Sequence, residues 1–483
     1  MHSPTQSRRG GRMKRVDLHT GSHDLPVSPA LEKFMLSGWA DSEQYVTQVD
    51  EVAGWAAARR RQLHGRFSGE RLVVPAGSFK RRSNDQHYRF RPHSAYVWLT
   101  GDQSSDGVLV IEPDGEEMLY LRPRSDRSTP EFFRDRMYGE LWAGRRPTLG
   151  ESRRRLAVTT RHLAELESVL SGRGVPTRVL RGVDVHVDGL TADAAGPGDL
   201  EFAAVLDEMR LVKDDWEIGQ LEEAVAITTR GFEDMVRALP MAKRTSERYL
   251  EGVFWQRARL EGNDVGYHSI VAAGAHAATL HWIDNDGAVR DGDLLLLDAG
   301  AETRSLYTAD ITRVLPVSGR FSPLQRDLYE LCLKANDAAL DCLKPGADWR
   351  AFHQAAMTVL AYGLADLGVL PVSPERALTE ESGLYRRWTL CGSGHMLGLD
   401  VHDCAAARAD SYLHGRLAAG QVLTVEPGLY FQPDDELVPA ELRGIGIRIE
   451  EDVLVTDNGC RVLSSGLPRR PDEIEAWMHR VSS

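Results

Sequence analysis

The sequence predicts a mixed α/β (α+β) protein with two folded domains. Three observations support this class: 483 residues suffice for two or three domains, helical periodicity alternates with short β-forming runs, and residues 190–200 form a break rich in Gly, Ala and Asp. Apolar residues make up 42% of the chain and charged residues 27%, which permits a large core. We place a linker near residue 205, between domains at 28–205 and 206–483, and expect residues 1–27 to be a disordered basic tail.

The first domain begins with helical periodicity and continues with strands. Its predicted elements, in order, are helical structure within residues 30–66 and strands at 72–75, 96–100, 108–111 and 118–121. Asp114 and Gly115 lie between the last two strands, and this pair is typical of the tight turn of a β-hairpin. Short strands and helices should alternate over residues 156–206.

A long amphipathic helix opens the second domain. Leu221, Val225, Phe232 and Met235 fall on one face of a helix predicted from about residue 214 to residue 239. The elements expected after it are helices at 246–260, 323–343 and 349–368, strands at 294–297, 422–425, 445–449 and 452–455, and a polar surface loop at 371–388.

Charge and cysteine content argue against several classes of protein. The formal net charge is -13, which argues against nucleic acid as a main partner. Five cysteines form no Cys-x-x-Cys pair, and their odd number argues against a disulfide framework.

No apolar segment follows the basic N-terminus as in a secretory signal, and no stretch approaches the ~20 apolar residues of a membrane span. We therefore expect a cytoplasmic protein with no membrane partner.

Five residues occur in contexts that suit metal ligands: Asp298, Asp310, His395, Glu426 and Glu450. Asp298 and Glu426 each end an apolar strand, where a partly desolvated carboxylate needs a cation nearby. Glu426 could equally be a turn acid, since proline and glycine follow it. Four carboxylates and one imidazole suit divalent ions such as Mn²⁺. Two ions roughly 3.5–4 Å apart can activate water and polarise a carbonyl, so the set predicts a two-metal hydrolase.

The other acids also have ordinary structural alternatives. Asp298 could cap a turn. Asp310 could pair with Arg313, although a hairpin could instead return it beside Asp298. Glu450 could pair with Arg448 on a solvent face, because both point to one side of a strand. A buried Arg–Glu face would fit an active cleft as well.

Three histidines are candidates for chemistry. His395 lies among three glycines, which suggests close approach of the backbone to something such as a metal centre. A flexible loop with a chance histidine is the alternative. His402, seven positions later, could share a helical face with it, although the glycines weaken this interpretation. His281 lies among apolar residues and by itself is expected to be a core histidine.

The order of these motifs resembles that of the pita-bread metallopeptidases over residues 267–452. This group includes methionine aminopeptidase, aminopeptidase P and proline dipeptidase, with creatinase as a metal-free relative. The matching stretches are Asp298-Ala-Gly, Asp310-Ile-Thr-Arg, Gly-His395-Met-Leu-Gly-Leu-Asp-Val-His402-Asp, Val-Glu426-Pro-Gly-Leu-Tyr430 and Gly-Ile-Arg448-Ile-Glu450-Glu-Asp. The resemblance implies a pita-bread catalytic domain in the C-terminal half.

The N-terminal half resembles the creatinase-like α/β domain that precedes the catalytic domain in bacterial aminopeptidase P. The matching stretches are Arg82-Ser-Asn-Asp85, Trp98-Leu-Thr-Gly101 and Glu140-Leu-Trp142-Ala-Gly-Arg-Arg. The resemblance thus covers most of residues 30–470. Asp85 and Trp142 match family residues that reach a neighbouring subunit's active site, which implies a homodimer or a homotetramer.

The resemblance also implies a role for each candidate ligand. Asp298 would bind one Mn²⁺ ion, and His395 and Glu426 would bind a second. Asp310 and Glu450 would bridge the two ions. Glu426 would in addition transfer the proton during catalysis.

Five further residues would contact the substrate. His281 and His402 would contact the scissile amide and its developing oxyanion. Arg448 would orient the substrate near the proline, and Tyr430 and Tyr267 would line the pocket. Neutral histidine is a suitable hydrogen-bond donor to a forming oxyanion.

Two departures from the family pattern affect these expectations. Close relatives usually have a second histidine four positions before the metal-binding one, where this chain has Cys391. Whether Cys391 holds substrate as that histidine would is therefore an open question. The loop from Asp298 to Asp310 is also one residue longer than in most relatives, and we expect the hairpin to accommodate it.

The activity that the resemblance implies is that of an Xaa-Pro aminopeptidase, which releases the first residue from peptides with proline at the second position. An Xaa-Pro bond has no N–H on its imide nitrogen, so a two-metal site would act on the carbonyl instead. Proline dipeptidase, acting on Xaa-Pro dipeptides, is the first alternative. A non-catalytic pita-bread protein used as a binding module is the second.

Overall fold

The structure is a computed structural model that describes residues 25–40, 48–172 and 174–483. The predicted basic tail lies outside the described residues except for 25–27, which are neither helix nor strand. In the part of the chain that is described, no helix combines the length and apolar character that a bilayer crossing requires.

The N-terminal half contains one five-stranded sheet with helices packed against it. Its helices and strands are α1 (Pro29–Met35), α2 (Val52–Arg66), β1 (Arg71–Pro75), β2 (Arg81–Ser83), β3 (Gln86–His87), α3 (Ser94–Thr100), β4 (Val108–Ile111), β5 (Glu117–Leu121), α4 (Glu131–Arg134), α5 (Glu140–Ala143), α6 (Leu149–Leu156), β6 (Thr159–His162), α7 (Leu166–Leu170), β7 (Thr177–Val179), α8 (Val185–Leu190) and α9 (Pro197–Arg210). The sheet order is β6-β5-β4-β1-β7, and β5–β6 and β1–β7 are the parallel pairs. The predicted hairpin is confirmed, because β4 and β5 pair antiparallel with Val108 opposite Tyr120.

The strand predicted at 96–100 is wrong, because this segment forms the buried helix α3. The His93 ring accepts a hydrogen bond from the Ala95 N–H at its start, and Gly101 ends it with a left-handed φ of +70°. All seven helical residues are buried. A short segment that is buried on every side has no helical periodicity in its sequence. Its β-forming residues therefore predict a strand.

The linker predicted near residue 205 lies inside α9, where Val205 is buried. The break in composition before it is a helix start. Gly196 precedes Pro197, and proline is well suited to the first helical turn because its missing N–H has no helical partner there. Side chains of α9 also bond to the C-terminal half, since Asp207 accepts from the Ala406 N–H at 2.7 Å. This helix therefore connects the two halves structurally.

The C-terminal half combines paired helices with small antiparallel sheets. Its helices and strands are α10 (Asp215–Ala242), α11 (Glu247–Glu261), β8 (Asp264–Val265), β9 (Ile270–Ala273), β10 (Leu294–Ala299), β11 (Ala301–Glu302), β12 (Ile311–Pro316), α12 (Pro323–Leu340), α13 (Arg350–Asp366), α14 (Pro374–Ala377), β13 (Val422–Val425), β14 (Gly428–Tyr430), β15 (Gly446–Arg448), β16 (Glu451–Thr456), β17 (Gly459–Val462) and α15 (Pro471–Ser482). The predicted face of α10 is confirmed: Leu221, Val225, Phe232 and Met235 are all buried.

The polar surface loop predicted at 371–388 is only partly present. Its first part contains the short helix α14, and its last residue, Trp388, is buried with 2% of its surface exposed. The Trp388 indole N–H donates to Asp435 at 3.0 Å, which ties the end of the segment to the chain beyond β14. The polar composition predicted the mostly exposed part of this segment but not the burial of Trp388.

Three antiparallel sheets bring the strand ends of the C-terminal half together. Their strand orders are β12-β10-β9, β13-β16-β17 and β14-β15. Asn336 of α12 links two of them, because its amide donates to the carbonyls of Val425 at 3.0 Å and Ile449 at 3.1 Å. Each of these carbonyls belongs to the residue just before a candidate ligand, so one buried amide fixes the positions of Glu426 and Glu450.

Candidate metal centre and active site

The five candidate ligands converge at one buried site. His395 Nε2 lies 3.3 Å from Asp310 Oδ2 and 3.4 Å from Glu426 Oε1. Ligand atoms of Asp310, His395 and Glu450 all lie within 4.8 Å of one another. The Tyr267 hydroxyl connects the remaining acid, since it lies 2.6 Å from Asp298 Oδ1 and 2.5 Å from Asp310 Oδ1.

The hairpin of β10 and β12 places the two aspartates side by side. Asp298 pairs with Thr312 across the ladder, so Asp310 arrives at the same end of the hairpin. Gly300 is required in the connection, because a Cβ there would lie 1.7 Å from the Ala309 carbonyl oxygen. The hairpin that could return Asp310 to Asp298 is thus present with its longer loop accommodated.

The pairing of Asp310 with Arg313 that the sequence also allowed is wrong. Arg313 is buried, points away to Glu451 Oε1 at 2.8 Å, and donates to the Glu450 carbonyl at 2.6 Å. Glu450 is likewise not on a solvent face, since 1% of it is exposed, and Arg448 bonds to Asp298 instead. Both arginines therefore brace the strands that hold the acids.

Threonine hydroxyls orient two of the acids. Thr312 Oγ1 donates to Glu450 Oε2 at 2.6 Å, and Thr424 Oγ1 donates to Glu426 Oε1 at 3.3 Å. Sequence reasoning missed both residues. The spacing of Thr424 could have identified it, because Thr424 lies two positions before Glu426 and so on the same face of the strand.

His395 is held by β13. Its N–H donates to Thr424 Oγ1 at 3.1 Å, and its Nδ1 bonds to the Met396 carbonyl at 3.1 Å, which leaves Nε2 directed at the acids. The glycine beside it allows this contact, because a Cβ on Gly394 would lie 2.1 Å from the Thr424 carbonyl oxygen. The close approach predicted from the glycines is thus to a strand.

Burial and mutual repulsion shift the ionisation of the cluster. Burial raises the pKa of Glu426 to about 7 and that of Glu450 well above its ordinary value, and neighbouring carboxylates add to both shifts. Burial also raises the pKa of Asp298 despite the charge of Arg448. Burial opposes a charge on His395, yet its hydrogen bond to Asp310 and the charges of Glu426 and Asp310 raise its pKa to about 9.

The site has the chemistry of a divalent-cation site. Four acids face Arg448 and His395, so full ionisation would leave negative charge in excess, and carboxylates this close need either protonation or a bound cation to offset their repulsion. Asp452 Oδ1 is also buried beside the cluster without a hydrogen-bond partner. An oxygen-rich set with one imidazole fits divalent ions such as Mn²⁺.

Two histidines lie on the open side of the cluster. The rings of His402 and His395 meet edge to face with centroids 4.3 Å apart. Burial lowers the pKa of His402, and the charges of His395 and the nearby His281 add to the decrease. His281 is exposed, so its interpretation as a core histidine is wrong. Neither His395 nor His402 lies in a helix, so the helical face that they were predicted to share is wrong as well.

Two other candidate substrate residues, Arg448 and Tyr430, bond to each other beside the acids. Arg448 Nη1 donates to the Tyr430 hydroxyl at 2.9 Å, and both side chains are buried. Partial burial and the charge of Glu426 raise the pKa of the Cys391 thiol, which places this exposed cysteine beside the acids. The thiol thus lies near Tyr430 as well.

Asp85 and Trp142 come together in the N-terminal half, on either side of Arg136. Asp85 pairs with Arg136 at 3.2 Å, and the Arg136 guanidinium lies 4.8 Å from the centre of a Trp142 ring. Trp142 donates its indole N–H to the Phe133 carbonyl at 2.7 Å but leaves 52% of its surface exposed. The pair forms an outward-facing aromatic and acidic patch.

Comparison with known proteins agrees with this geometry. Residues 219–457 match the model of metallopeptidase family M24, and residues 56–176 match that of the aminopeptidase P N-terminal domain. Xaa-Pro aminopeptidase 1 of Streptomyces coelicolor is 54% identical over 456 residues, which span 94% of this chain and 92% of that protein.

Two solved structures resemble the whole fold. Aminopeptidase PepP of Pseudomonas aeruginosa superposes with a TM-score of 0.79 and 30% identity, covering 90% of this chain and 99% of that one. Zinc-substituted aminopeptidase P of Escherichia coli in complex with product gives 0.79 and 29%, covering 90% and 100%. The chain therefore belongs to the Xaa-Pro aminopeptidase (aminopeptidase P) family of the M24 metallopeptidases.

Proposed function

We propose that this protein is an Xaa-Pro aminopeptidase that hydrolyses the bond between the first residue of a peptide and a proline at the second position. The main supporting observation is the convergence of four acids and His395, with His402 against His395 and the Arg448–Tyr430 pair against Asp298. Such a site acts on the carbonyl and needs no scissile N–H, which an Xaa-Pro bond lacks.

Two divalent ions would occupy the cluster. Asp298 would hold one ion, His395 and Glu426 the other, and Asp310 and Glu450 would contact both. The excess of carboxylates supports Mn²⁺ as the preferred ion. When bound, such ions polarise the carbonyl and lower the pKa of water.

The protein's own side chains would orient the substrate and move protons. Glu426 is suited to accept and return a proton, because its side chain is 19% exposed whereas that of Asp310 is 8% exposed. His402 and His281 would donate hydrogen bonds to the substrate carbonyl oxygen as negative charge develops on it. The lowered pKa of His402 favours the neutral ring, and a donor of this kind contributes about 2.7–4 kcal/mol to transition-state stabilisation.

Arg448 and Tyr430 would bind the proline end of the substrate. The Arg448–Tyr430 pair is rigid because both side chains are buried and hydrogen-bonded. Tyr267 would hold the two aspartates at a fixed separation. Cys391 would contact substrate in place of the second histidine of relatives.

Assembly into a homodimer or homotetramer would complete the pocket. Tyr88, Leu141 and Trp142 leave 57%, 51% and 52% of their surface exposed in the same half of the chain as Asp85. Aromatic side chains are enriched in subunit interfaces, so the exposed rings of Tyr88 and Trp142 support an assembly. Asp85 and Trp142 would then reach the active site of a neighbouring subunit.

The free cysteines support a cytoplasmic location for this protein. Cys332, Cys342, Cys391, Cys404 and Cys460 are all free, and Cys391 is exposed. Free thiols persist where the surroundings are reducing.

Hydrolysis of Xaa-Pro, Xaa-Pro-Xaa and Xaa-Ala-Xaa peptides with added Mn²⁺, Co²⁺ or Zn²⁺ tests the activity. We expect release of the first residue from Xaa-Pro-Xaa and longer peptides and little from Xaa-Ala-Xaa. Cleavage of dipeptides alone would identify a proline dipeptidase. Peptide binding without hydrolysis under every metal would identify a binding module.

A further inference from the structure

The segment that carries His281 is an exposed arch between β9 and β10. It begins after Ala273 with a 3₁₀ turn at Gly274–Ala278 and returns to the sheet at Asn285. His281 lies near its middle and is exposed. A side chain on such an arch keeps a defined position only if the two ends of the arch are fixed.

Glu247, in the first turn of α11, fixes both ends. Its side chain is completely buried, and each oxygen accepts two hydrogen bonds. Oε1 accepts from the Ala273 N–H at 2.7 Å and from His276 Nδ1 at 2.9 Å. Oε2 accepts from the Trp282 indole N–H at 3.0 Å and from the Gly287 N–H at 2.7 Å. All four donors belong to the arch or to the residues on either side of it.

The contacts connect Glu247 to His281 through its immediate neighbour. Trp282 stacks on His276 with ring centroids 3.8 Å apart, so the carboxylate holds both rings of one stack. The Glu247 N–H also donates to the Gly287 carbonyl at 2.9 Å, so main chain and side chain hold the same segment. An ionised carboxylate can accept from all four donors, whereas an amide could accept only at its oxygen.

We propose that Glu247 is a positioning residue that fixes the arch so that His281 reaches the substrate. This inference rests on the role proposed above for His281. Among the described residues, Glu247 contacts no candidate metal ligand. All four of its side-chain hydrogen bonds are made with the arch and the residues on either side of it. A misplaced donor of this kind impairs the transition state more than substrate binding, so kcat falls while KM changes little.

The test combines Glu247→Gln with His281→Ala in a double-mutant cycle, assayed on an Xaa-Pro-Xaa peptide with Mn²⁺. Glu247→Gln alone should lower kcat by about tenfold or more, because a displacement near 1 Å can cost about 10²-fold. In the His281→Ala background it should lower kcat by less than about twofold, since linked residues are not additive. Bound Mn²⁺ should be unchanged in every variant.

Asp199→Asn is the matched control. Asp199 is another buried acid that holds backbone, accepting from the Val179 N–H at 2.9 Å, but it lies in the N-terminal half. Its replacement should destabilise the fold and leave kcat unchanged. Equal losses from Glu247→Gln in both backgrounds, or unchanged kcat, would overturn the positioning role. If His281→Ala itself were fully active, the role proposed for His281 would fail first.

Trp282→Phe keeps the test decisive if Glu247→Gln does not fold. This variant removes one donor to Glu247 and keeps the aromatic stack on His276. It should lower kcat in the wild-type background and have little further effect beside His281→Ala. An unchanged kcat would contradict the inference.

Discussion

The acidic residues of the candidate metal centre are placed where a cation could bind, and without a cation they repel one another. Asp298, Asp310, Glu426 and Glu450 share one buried site, and burial raises the pKa of three of them. Arg448 neutralises only part of the charge, chiefly through Asp298. The metal-free protein should therefore gain, or lose little, stability when one acid is removed.

Asp310→Ala or Glu450→Ala should abolish metal binding and activity without unfolding the protein. Each change removes a proposed shared ligand, so metal affinity should fall by more than about 100-fold, since losing even a ligand's hydrogen-bond partner costs about 10–100-fold. Metal analysis after dialysis and thermal unfolding without metal measure both effects. The exposed acid variant Asp434→Ala is the control and should bind metal normally. Two tightly bound ions in either mutant would contradict the ligand assignment.

Cys391→His should change substrate binding more than metal content. The thiol lies beside Glu426 and Tyr430, on the side assigned to substrate. A histidine at this position adds a hydrogen-bond donor there, so we expect KM to shift severalfold, about 1 kcal/mol for one such bond. Peptide kinetics and metal analysis provide the measurement. Loss of metal would show that residue 391 lies in the ligand set.

At the scale of elements, the loop that carries both His395 and His402 is held by charges from α9 and its surroundings. Asp403, 2% exposed, bonds to Arg210 and accepts from Lys213 Nζ at 2.8 Å. Asp400 accepts from the Ser94 hydroxyl at 2.6 Å. The N-terminal half thus contributes to the position of His402.

Asp403→Asn should destabilise the protein by about 3–5 kcal/mol, because it leaves Lys213 buried without its carboxylate partner, whereas Arg210 keeps Asp207 and Asp400. Activity should fall as well, since Asp403 follows His402 directly. Asp400→Asn is the matched change in the same loop, and its side chain is 42% exposed. It should cost under about 1 kcal/mol. Urea unfolding compares the two, and equal costs would refute the buried-network explanation.

At the scale of the whole molecule, the outward-facing Trp142 predicts an assembly. Trp142→Ala should lower kcat/KM for longer peptides by about tenfold or more, as for a central aromatic contact between subunits. Metal content should not change. Trp255→Ala is the control, because Trp255 is 47% exposed on α11 and outside the proposed interface. Light scattering gives the oligomeric state, and a fully active monomer would exclude a shared pocket.

The helices and strands of the C-terminal half could largely be predicted, whereas short buried elements could not. The face of α10 and strands β10 and β13, which carry or immediately precede Asp298 and Glu426, have clear periodicity or length. Helix α3 has neither, because it is buried on every side, and Trp388 anchors a segment of otherwise polar composition. Helices and strands are predicted from the alternation of buried and exposed residues. The local sequence therefore gives no prediction where every residue is buried, or where a distant part of the chain causes the burial.

The sequence by itself determined the fold class, the order of the chemical motifs and the family resemblance, because these depend on residues close together in the chain. Only the tertiary structure decided the partner of each charge. Arg448 bonds to Asp298, 150 positions away, and Arg313 bonds to Glu451, 138 positions away. The nearby pairings that the sequence suggested lose to these, because a buried charge takes the partner that the packed strands place within reach.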